Sequence, residues 1–369
     1  MINFTKQPLT INPAYNDSII EYSSTLTGVT YSNIYVGTNV FKTYPIGGIF
    51  TYNLKPIVSV LINENQFKDS ILPDFTAAYV YEDNTLNYNL QPVIRVYNNS
   101  TYEETIPSWQ FIKSVEQLIG YREKSEVEKS IRVLLPTNNK TDYFLPYFEG
   151  YPTDFAIYGI PEGATYYFRN ITTISQSPTF TGETFGTQRV YLSDGGKNEY
   201  ASNFLGLSTT ENLVELWVNG SFNSNITIKR NNSRSGVYLK WFNNSGSYSY
   251  WLFDPVYTET IQTKTLDDLN GGWDNLQNVS ATSRIAGKSA SKTLKVSTRY
   301  TSQEKEYITS ILTSPMVEMY VSDKPFNKTD INKFIGVTIN DGSTTNTNKS
   351  TNNKMDLTIT LPAIYTQTL

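Results

Sequence analysis

The sequence predicts an all-β protein made of tandem β-sandwich-like domains with one or two short helices. Tyr (28) and Phe (18) supply much of the apolar content, while charged residues make up only 17% of the 369 residues. Aromatic and β-branched residues favour strands. Short alternating segments separated by Pro and Gly are typical of sandwich folds. The length is typical of two or three domains, and we place them at 1–105, 106–205 and 206–369.

The first predicted domain is an immunoglobulin-like sandwich. Apolar–polar alternation bounded by Pro and Gly is the pattern of short strands in such a sandwich. The predicted strands lie at 4–11, 18–23, 29–36, 49–54, 57–62, 77–81 and 87–96.

The middle region is predicted to be β-rich with a short helix near its start. Ile112, Val115, Leu118 and Ile119 follow helical spacing, and Gly120 would end that helix. The charged stretch 122–129 is interpreted as a solvated loop. Strands are expected at 130–135, 154–158, 165–170 and 189–192.

The third domain is organised around an aromatic hairpin at 236–254. Two aromatic runs, 237–242 and 248–253, flank an Asn-Asn-Ser-Gly-Ser turn. Neither face is polar, so we expect both to be covered, one by the domain's own second sheet and the other by a neighbouring chain or domain. Lys240 would lay its stem on an apolar surface and bring its amine to water. The candidate interaction residues are Tyr238, Trp241, Phe242, Tyr248, Tyr250, Trp251, Phe253 and Asp341.

Strands, one helix and a long loop complete this domain. Strands are predicted at 213–218, 224–229, 259–265, 294–299 and 317–321, with a turn-rich stretch at 267–273. A helix is predicted at 302–312, begun by the capping box Thr301-x-x-Glu304. Strands near 335–339 and 357–361 flank a polar loop, 340–354, whose length favours an interaction arm.

Composition excludes most catalytic classes. The chain has no His and no Cys, so Ser-His-Asp chemistry, thiol nucleophiles and thiolate or imidazole metal sites are impossible. We therefore expect no enzyme activity and no cofactor. The loop 194–199 is interpreted as a turn in preference to a calcium site.

Charge and hydropathy limit location and partners. The net charge is −4 and no block of Lys and Arg occurs, so no nucleic-acid partner is expected. The sequence shows no transmembrane run and no secretory signal. We therefore expect synthesis in a cytoplasm and no membrane insertion.

Three motifs resemble tail structural proteins of bacteriophages that infect Bacteroidota, of the distal-tail, baseplate-hub or tail-ring type. They are Phe148-Glu149-Gly150-Tyr151-Pro152, the hairpin 237–253, and the 302–312 helix leading through Ser314-Pro315-Met316-Val317 into a strand. The resemblance covers about the C-terminal two-thirds of the chain. It implies a virion protein that forms rings, hexamers among them, with other tail proteins and receptor-binding fibres as partners.

Two alternative functions stay open at this point. Tyr and Trp faces stack on sugars, so the chain could be a carbohydrate-binding or adhesive module that recognises a host surface glycan; Trp109 and Trp273 are the candidates. Glu149 and Asp154 are the nearest approach to the carboxylate pair of a glycosidase.

Overall fold

The protein is described by a computed structural model of residues 1–64, 66–71, 79–99, 101–116, 130–137, 142–182, 186–194, 205–232, 235–270, 283–321, 334–345 and 352–367. Of these described residues, strands account for 57% and helices for 7%, and the two α-helices among them are short. This confirms the predicted all-β class with tandem β-sandwich-like domains.

The chain divides into two compact units. The first comprises Met1–Asn231 with Asn243–Ser249, and the second comprises Asn232–Phe242 with Tyr250–Leu369. The three-domain division of the sequence analysis stays a prediction.

The N-terminal part of the first unit consists of three small sheets around one core. Its strands are β1 (Ile2–Lys6), β2 (Ile11–Pro13), β3 (Ile19–Ser24), β4 (Tyr31–Val36), β5 (Asn39–Thr43), β6 (Phe50–Asn53), β8 (Asn87–Leu90), β9 (Val93–Asn98), β10 (Thr101–Thr105) and β11 (Trp109–Ile112). The sheet orders are β1-β3-β6, β10-β9-β4-β5 and β2-β11-β8. Ile20, Tyr22, Ile34, Phe50 and Ile94 are completely buried in the shared core.

The predicted strand at 57–62 is wrong, because this segment belongs to helix α1 (Lys55–Ile62). Its buried residues are Ile57, Val58 and Ile62, whereas Val60 is 71% exposed. Pro56 lies in the first turn, where proline suits a helix. A short run that is largely apolar on both faces fits a half-buried helix as well as a strand.

The predicted helix at 112–119 is wrong in its described part. Ile112 is the last residue of β11 and pairs with Pro13 on one side and Asn87 on the other. Residues 113–116 are not helical, and 117–120 and the charged stretch 122–129 lie outside the described residues. Sheet pairing outweighs the helical spacing here.

The rest of the first unit contains two larger sheets. Their strands are β7 (Val80–Glu82), β12 (Arg132–Val133), β13 (Asp142–Phe148), β14 (Pro152–Tyr158), β15 (Thr165–Asn170), β16 (Ser175–Gln176), β17 (Phe180–Thr181), β18 (Thr187–Asp194), β19 (Glu211–Val218) and β20 (Ser221–Asn231). One sheet has the order β12-β14-β18-β7, and the other has β13-β20-β19-β15-β16, with β17 also paired to β15. Asn219 and Gly220, both with positive φ, form the tight turn between β19 and β20.

The second unit contains a seven-stranded sheet. Its strands are β21 (Val237–Phe242), β22 (Tyr248–Phe253), β23 (Thr258–Thr265), β26 (Lys288–Thr301), β27 (Val317–Tyr320), β28 (Phe334–Thr345) and β29 (Asn352–Thr360). The order is β22-β21-β27-β28-β29-β26-β23. A further pair is formed by β24 (Asp268–Asn270) and β25 (Ser283–Ile285), and β24 lies within the stretch 267–273 that was predicted to be rich in turns. The predicted hairpin has the expected bounds.

The 302–312 helix is shorter than predicted. Helix α2 spans Lys305–Thr309 and continues as a 3-10 turn over Ser310–Thr313. The backbone N–H of Thr301 donates to Oε2 of Glu304 at 2.7 Å, which is one of the two hydrogen bonds of a capping box.

The predicted loop 340–354 is wrong over most of its length. Strands β28 and β29 extend through 340–345 and 352–354, and 346–351 lies outside the described residues. A register shift between Ile339 and Asp341 allows the ladder to continue through the turn-forming sequence. Asn353 and Met355 point into the protein, which anchors this extension.

In the part of the chain that the structure describes, no helix has the length and apolarity needed to cross a membrane.

Candidate functional site

The hairpin residues singled out from the sequence lie inside the protein. Each of the following side chains is at most 4% exposed: Tyr238, Trp241, Phe242, Tyr248, Tyr250, Trp251 and Phe253. Trp241 Nε1 donates to Ser310 Oγ at 2.8 Å, and Trp251 Nε1 donates to Thr298 Oγ1 at 3.0 Å. The chain itself therefore covers these rings. Their predicted contact with a second chain stays a prediction, and their burial does not support it.

Lys240 does not reach water as expected. Its side chain is buried, and its Nζ lies 3.2 Å from Glu318 Oε2 and 5.0 Å from the centroid of the Phe334 ring. The ion pair takes the place of the water that was expected to solvate the amine.

The other candidates are dispersed. Asp341 is exposed at the bulge in β28. Trp109 is 5% exposed and packs edge-on against Phe4, with 5.8 Å between ring centroids, so it offers no face to a sugar. Trp273 and the 195–199 part of the possible calcium loop lie outside the described residues.

Glu149 and Asp154 do not form a carboxylate pair that a substrate could reach. Asp154 is completely buried and accepts two hydrogen bonds from Arg189, from Nε at 2.8 Å and from Nη2 at 2.9 Å. Glu149 instead pairs with Arg230 at 3.3 Å. Each carboxylate is thus neutralised by its own arginine, and Asp154 is sealed from solvent.

Arg189 is the centre of a buried charge cluster. Besides Asp154, it contacts Asp69 through Nη1 at 2.6 Å and Nη2 at 3.1 Å, and Asp83 through Nη1 at 3.5 Å. Its guanidinium also lies 4.5 Å from the Tyr248 ring centroid and 5.0 Å from that of Tyr191. These groups join the strand ends of β14 and β18 to the segments around Asp69 and Asp83.

The electrostatics of this cluster indicate a structural role. Burial opposes the charge on Arg189, but the attraction of the Asp154 and Asp69 carboxylates leaves the guanidinium pKa well above its usual value. Burial also raises the pKa values of Tyr191 and Tyr248, so both phenols stay protonated. Among the described residues, no group of three or more acidic side chains is arranged to hold a metal ion.

A different surface, which we call the tyrosine face, presents half-buried and exposed aromatic and polar side chains on one side of a sheet. It is the solvent side of the β10-β9-β4-β5 sheet, and its inner side carries the buried Ser32, Ile34, Ile94 and Val96. The tyrosine face consists of Tyr31, Asn33, Tyr35, Lys42, Arg95, Tyr97, Tyr102 and Glu104. Strand alternation places all of them on one side.

The first row of this face is aromatic. Tyr31 on β4 lies opposite Tyr97 on β9, which lies opposite Tyr102 on edge strand β10. The first two rings stack with centroids 4.7 Å apart and an interplanar angle of 16°. The second pair is tilted, with centroids 5.5 Å apart. Such cross-strand aromatic pairs stabilise the sheet.

The second row is polar and runs parallel to the first. Lys42, Asn33, Arg95 and Glu104 are successive cross-strand partners. Arg95 Nε donates to Glu104 Oε2 at 2.6 Å, and each side chain is 35% exposed. The hydrogen bond to Glu104 raises the pKa of Arg95 and keeps it charged.

Two tyrosine hydroxyls meet above this polar row. The Tyr35 and Tyr97 hydroxyl oxygens are 2.9 Å apart, and Asn33 Nδ2 donates to the Tyr35 hydroxyl at 3.1 Å. The hydrogen bond with Tyr97 lowers the pKa of Tyr35, while burial raises that of Tyr97. The Arg95 guanidinium is held 5.1 Å from the ring centroids of both Tyr35 and Tyr102. The row is therefore preorganised.

The sequence analysis did not identify this face. The signal was present in Tyr31-Ser32-Asn33-Ile34-Tyr35-Val36, where aromatic and polar residues alternate with small and aliphatic ones. Recognising it required the pairing of β4 with β9 and of β9 with β10. Both strands lie more than fifty residues after β4, and no local pattern specifies these pairings.

Comparison with known proteins identifies no family. No family model and no curated protein matches the sequence. Among solved structures, the chain is similar to the tail of an empty GTA particle with C6 symmetry, at 9% identity over 37% of this chain and 99% of that one, with a TM-score of 0.24.

Two further solved structures are similar over 63% of this chain. The fibronectin(III)-like modules of Clostridium thermocellum CbhA match at 7% identity over 94% of their length, with a TM-score of 0.20. The titin fragment A168169 matches at 8% identity over 99% of its length, with a TM-score of 0.26. TM-scores this low carry no argument about function.

Proposed function

We propose that this chain is a non-enzymatic structural subunit of a bacteriophage tail, which assembles into a ring and connects the tail to its fibres. The observation that carries the proposal is an exposed two-stranded ribbon in the second unit. In this ribbon, β23 pairs with the first half of β26, and β24 pairs with β25. Two backbone hydrogen bonds connect these ladders: Leu266 N–H donates to Gly287 O, and Ala286 N–H donates to Asp267 O.

The ribbon has little core of its own. Every side chain of β23 is exposed, and most of those at 288–292 are exposed as well. Its strands extend over about 30–40 Å at roughly 3.3 Å per residue. A two-stranded ribbon on its own is only marginally stable in water. A neighbouring subunit packed against a ribbon of this length would stabilise it.

Apolar side chains along the ribbon are available to such a neighbour. Ile261 is 57% exposed, Leu266 42% and Ile285 45%, and Tyr257 just before β23 is 49% exposed. Within the described residues, β23 is an edge strand. Open edges are templates for pairing with another chain, which supports subunit contacts here in place of the buried hairpin.

The ribbon is also held in a fixed register. Lys292 Nζ on β26 lies 2.7 Å from Glu259 Oε2 on β23. On the other side of β26, the backbone N–H of Leu361, which follows β29, donates to Lys292 O. A fixed arm presents the same contact in every copy, which closed rings require. The host group suggested by the resemblance, the Bacteroidota, stays a prediction.

The test is the oligomeric state of the purified chain, measured by mass photometry and negative-stain imaging. The expected result is a closed ring for the wild type and its loss in Ile261→Asp, since a buried charge would oppose the contact. Leu213→Asp is the matched control, because Leu213 is a 40% exposed strand residue of the first unit. A monomer at all concentrations, or rings that survive Ile261→Asp, would contradict the proposal.

A further inference from the structure

We propose that the tyrosine face binds an oligosaccharide. Two strongly exposed rings lie at its borders, namely Tyr102 on edge strand β10, 53% exposed, and Tyr44 after β5, 63% exposed. The polar row with Arg95 and Glu104 lies beside them. This inference is independent of the assignment to a phage tail, because it concerns a different surface on a different unit.

The chemistry of the face matches that of a sugar. A pyranose presents a patch of C–H groups on its ring face and hydroxyls around its edge. The exposed rings accept the C–H patch, while the guanidinium of Arg95 donates and the carboxylate of Glu104 accepts hydrogen bonds. Because both charged groups are only partly exposed, these bonds would form where water competes less than in bulk.

The dimensions of the face match a short saccharide chain. Neighbouring strands are about 4.8 Å apart, so four strands span roughly 15 Å, the length of two to three pyranose rings. The rings of Tyr31, Tyr97 and Tyr102 line that direction with successive centroid separations of 4.7 and 5.5 Å. Because Tyr31 and Tyr97 stack face to face with an interplanar angle of 16°, their faces are occupied by each other. The rings that can stack on a sugar are therefore Tyr102 and Tyr44, at the two borders of the face.

The face is rigid before any ligand arrives. It is built on paired strands, with Arg95 fixed between two rings and by Glu104. The Tyr35 and Tyr97 hydroxyls hold each other in place. Preorganisation lowers the entropic cost of capturing a flexible ligand.

The charge of the face favours an acidic sugar over a neutral one. Lys42 lies over the ring of Tyr31 at 4.0 Å and within 5.3 Å of the Tyr44 centroid. Lys42 forms no ion pair with a carboxylate of the described chain, in contrast to Arg95. A sugar carboxylate near Lys42 would supply that missing charge, so a uronate chain should bind more tightly than its neutral counterpart.

A protein partner fits this face less well. Burying it under a protein would desolvate the Arg95–Glu104 pair, which costs free energy unless new hydrogen bonds replace the water. Cores of protein interfaces are also depleted of charged side chains such as Glu and Lys. A hydrated saccharide can supply hydroxyls to both charges.

The experiment begins with the full chain on an array of immobilised oligosaccharides, followed by titration with tetragalacturonate and with the neutral tetrasaccharide of glucose, monitored by calorimetry. We expect the uronate to bind more tightly, and Tyr102→Ala to lower its affinity at least ~10-fold through loss of the stacked ring. Tyr102→Phe should retain most of the affinity, and Lys42→Met should abolish the preference for the uronate. The matched control is Phe222→Ala, an aromatic residue of β20 that is 47% exposed and lies outside both the face and the ribbon.

Thermal unfolding of each variant checks that the fold is retained. The proposal is overturned if the wild type binds no saccharide on the array, if Tyr102→Ala binds as the wild type does, or if Phe222→Ala loses as much affinity. Protection of Tyr102 from radical labelling by a protein neighbour in assembled particles would also overturn it.

Discussion

Arg189 holds Asp154 by two parallel hydrogen bonds, Nε to Oδ2 at 2.8 Å and Nη2 to Oδ1 at 2.9 Å, and each of these side chains is 1% exposed. Asp69 and Asp83 share the same guanidinium. One buried guanidinium thus contacts carboxylates from three separate segments of the first unit. The cluster links these segments, and its integrity should govern the stability of that unit.

Replacing Arg189 with Met should destabilise the first unit by about 3–5 kcal/mol, because removal of one partner leaves buried carboxylates uncompensated. Urea unfolding followed by tryptophan fluorescence measures the change. The control is Arg169→Met at an exposed strand position, for which we expect a change within about 0.5 kcal/mol. Equal free energies of unfolding for the two variants would refute the compensating role of Arg189.

A second prediction concerns the backbone at Gly159. Its φ is +88°, and a Cβ placed there would lie 2.0 Å from the carbonyl oxygen of Ser130. Gly159→Ala should therefore cost more than about 3 kcal/mol, through left-handed strain and a clash that only backbone movement can relieve. The loss should appear as a lower midpoint of urea unfolding.

Gly163 provides the matched control, since its φ is +74° but a Cβ added to it would meet no atom of the described residues within 4 Å. Gly163→Ala should cost only about 1–2 kcal/mol, which is the strain of the left-handed conformation alone. If both alanine variants lost the same stability, close approach of Ser130 would not be the reason that Gly159 is required.

The sequence predicted local structure well wherever neighbouring residues decide it. The bounds of β15, β21 and β22 are those expected, because alternation and turn residues define them. The segment at 57–62 was misassigned because an apolar run has no period that separates helix from strand. Ile112 was misassigned because its pairing with Pro13 and Asn87 depends on distant segments.

The candidate site was less predictable than the fold. Aromatic richness indicated a surface for partners, yet in the hairpin it marks the core, since Trp241 and Trp251 find hydrogen-bond partners inside the chain. Whether an aromatic residue faces solvent depends on which layer covers its strand. Tyr102 is exposed and Tyr97 is half-buried because, among the described residues, no second sheet covers their side of β9 and β10. That arrangement is a property of the tertiary fold and leaves no local signal.

The last prediction concerns pH. Lys113 is 1% exposed; its amine donates to the carbonyl of Gln66 and lies 4.3 Å from the Phe67 ring centroid. Burial lowers the Lys113 pKa to about 8, against a partial opposing effect of Asp83. In the unfolded chain the pKa is 10.5. Between these values the unfolded state binds more protons than the folded state, so the free energy of unfolding should rise with pH.

The expected rise is about 1–2 kcal/mol between pH 7.5 and 9.5, from a limiting slope of about 1.4 kcal/mol per pH unit. Lys113→Met should remove it, whereas Lys6→Met, at an exposed strand residue, should keep the wild-type profile. Measurements must stop below pH 10, because burial raises the pKa of Tyr22 to about 12 and ionisation of that phenol in the unfolded chain then lowers stability. If Lys113→Met had the same pH dependence of stability as the wild type, Lys113 would not be the group responsible. The reason is that methionine cannot take up a proton on unfolding.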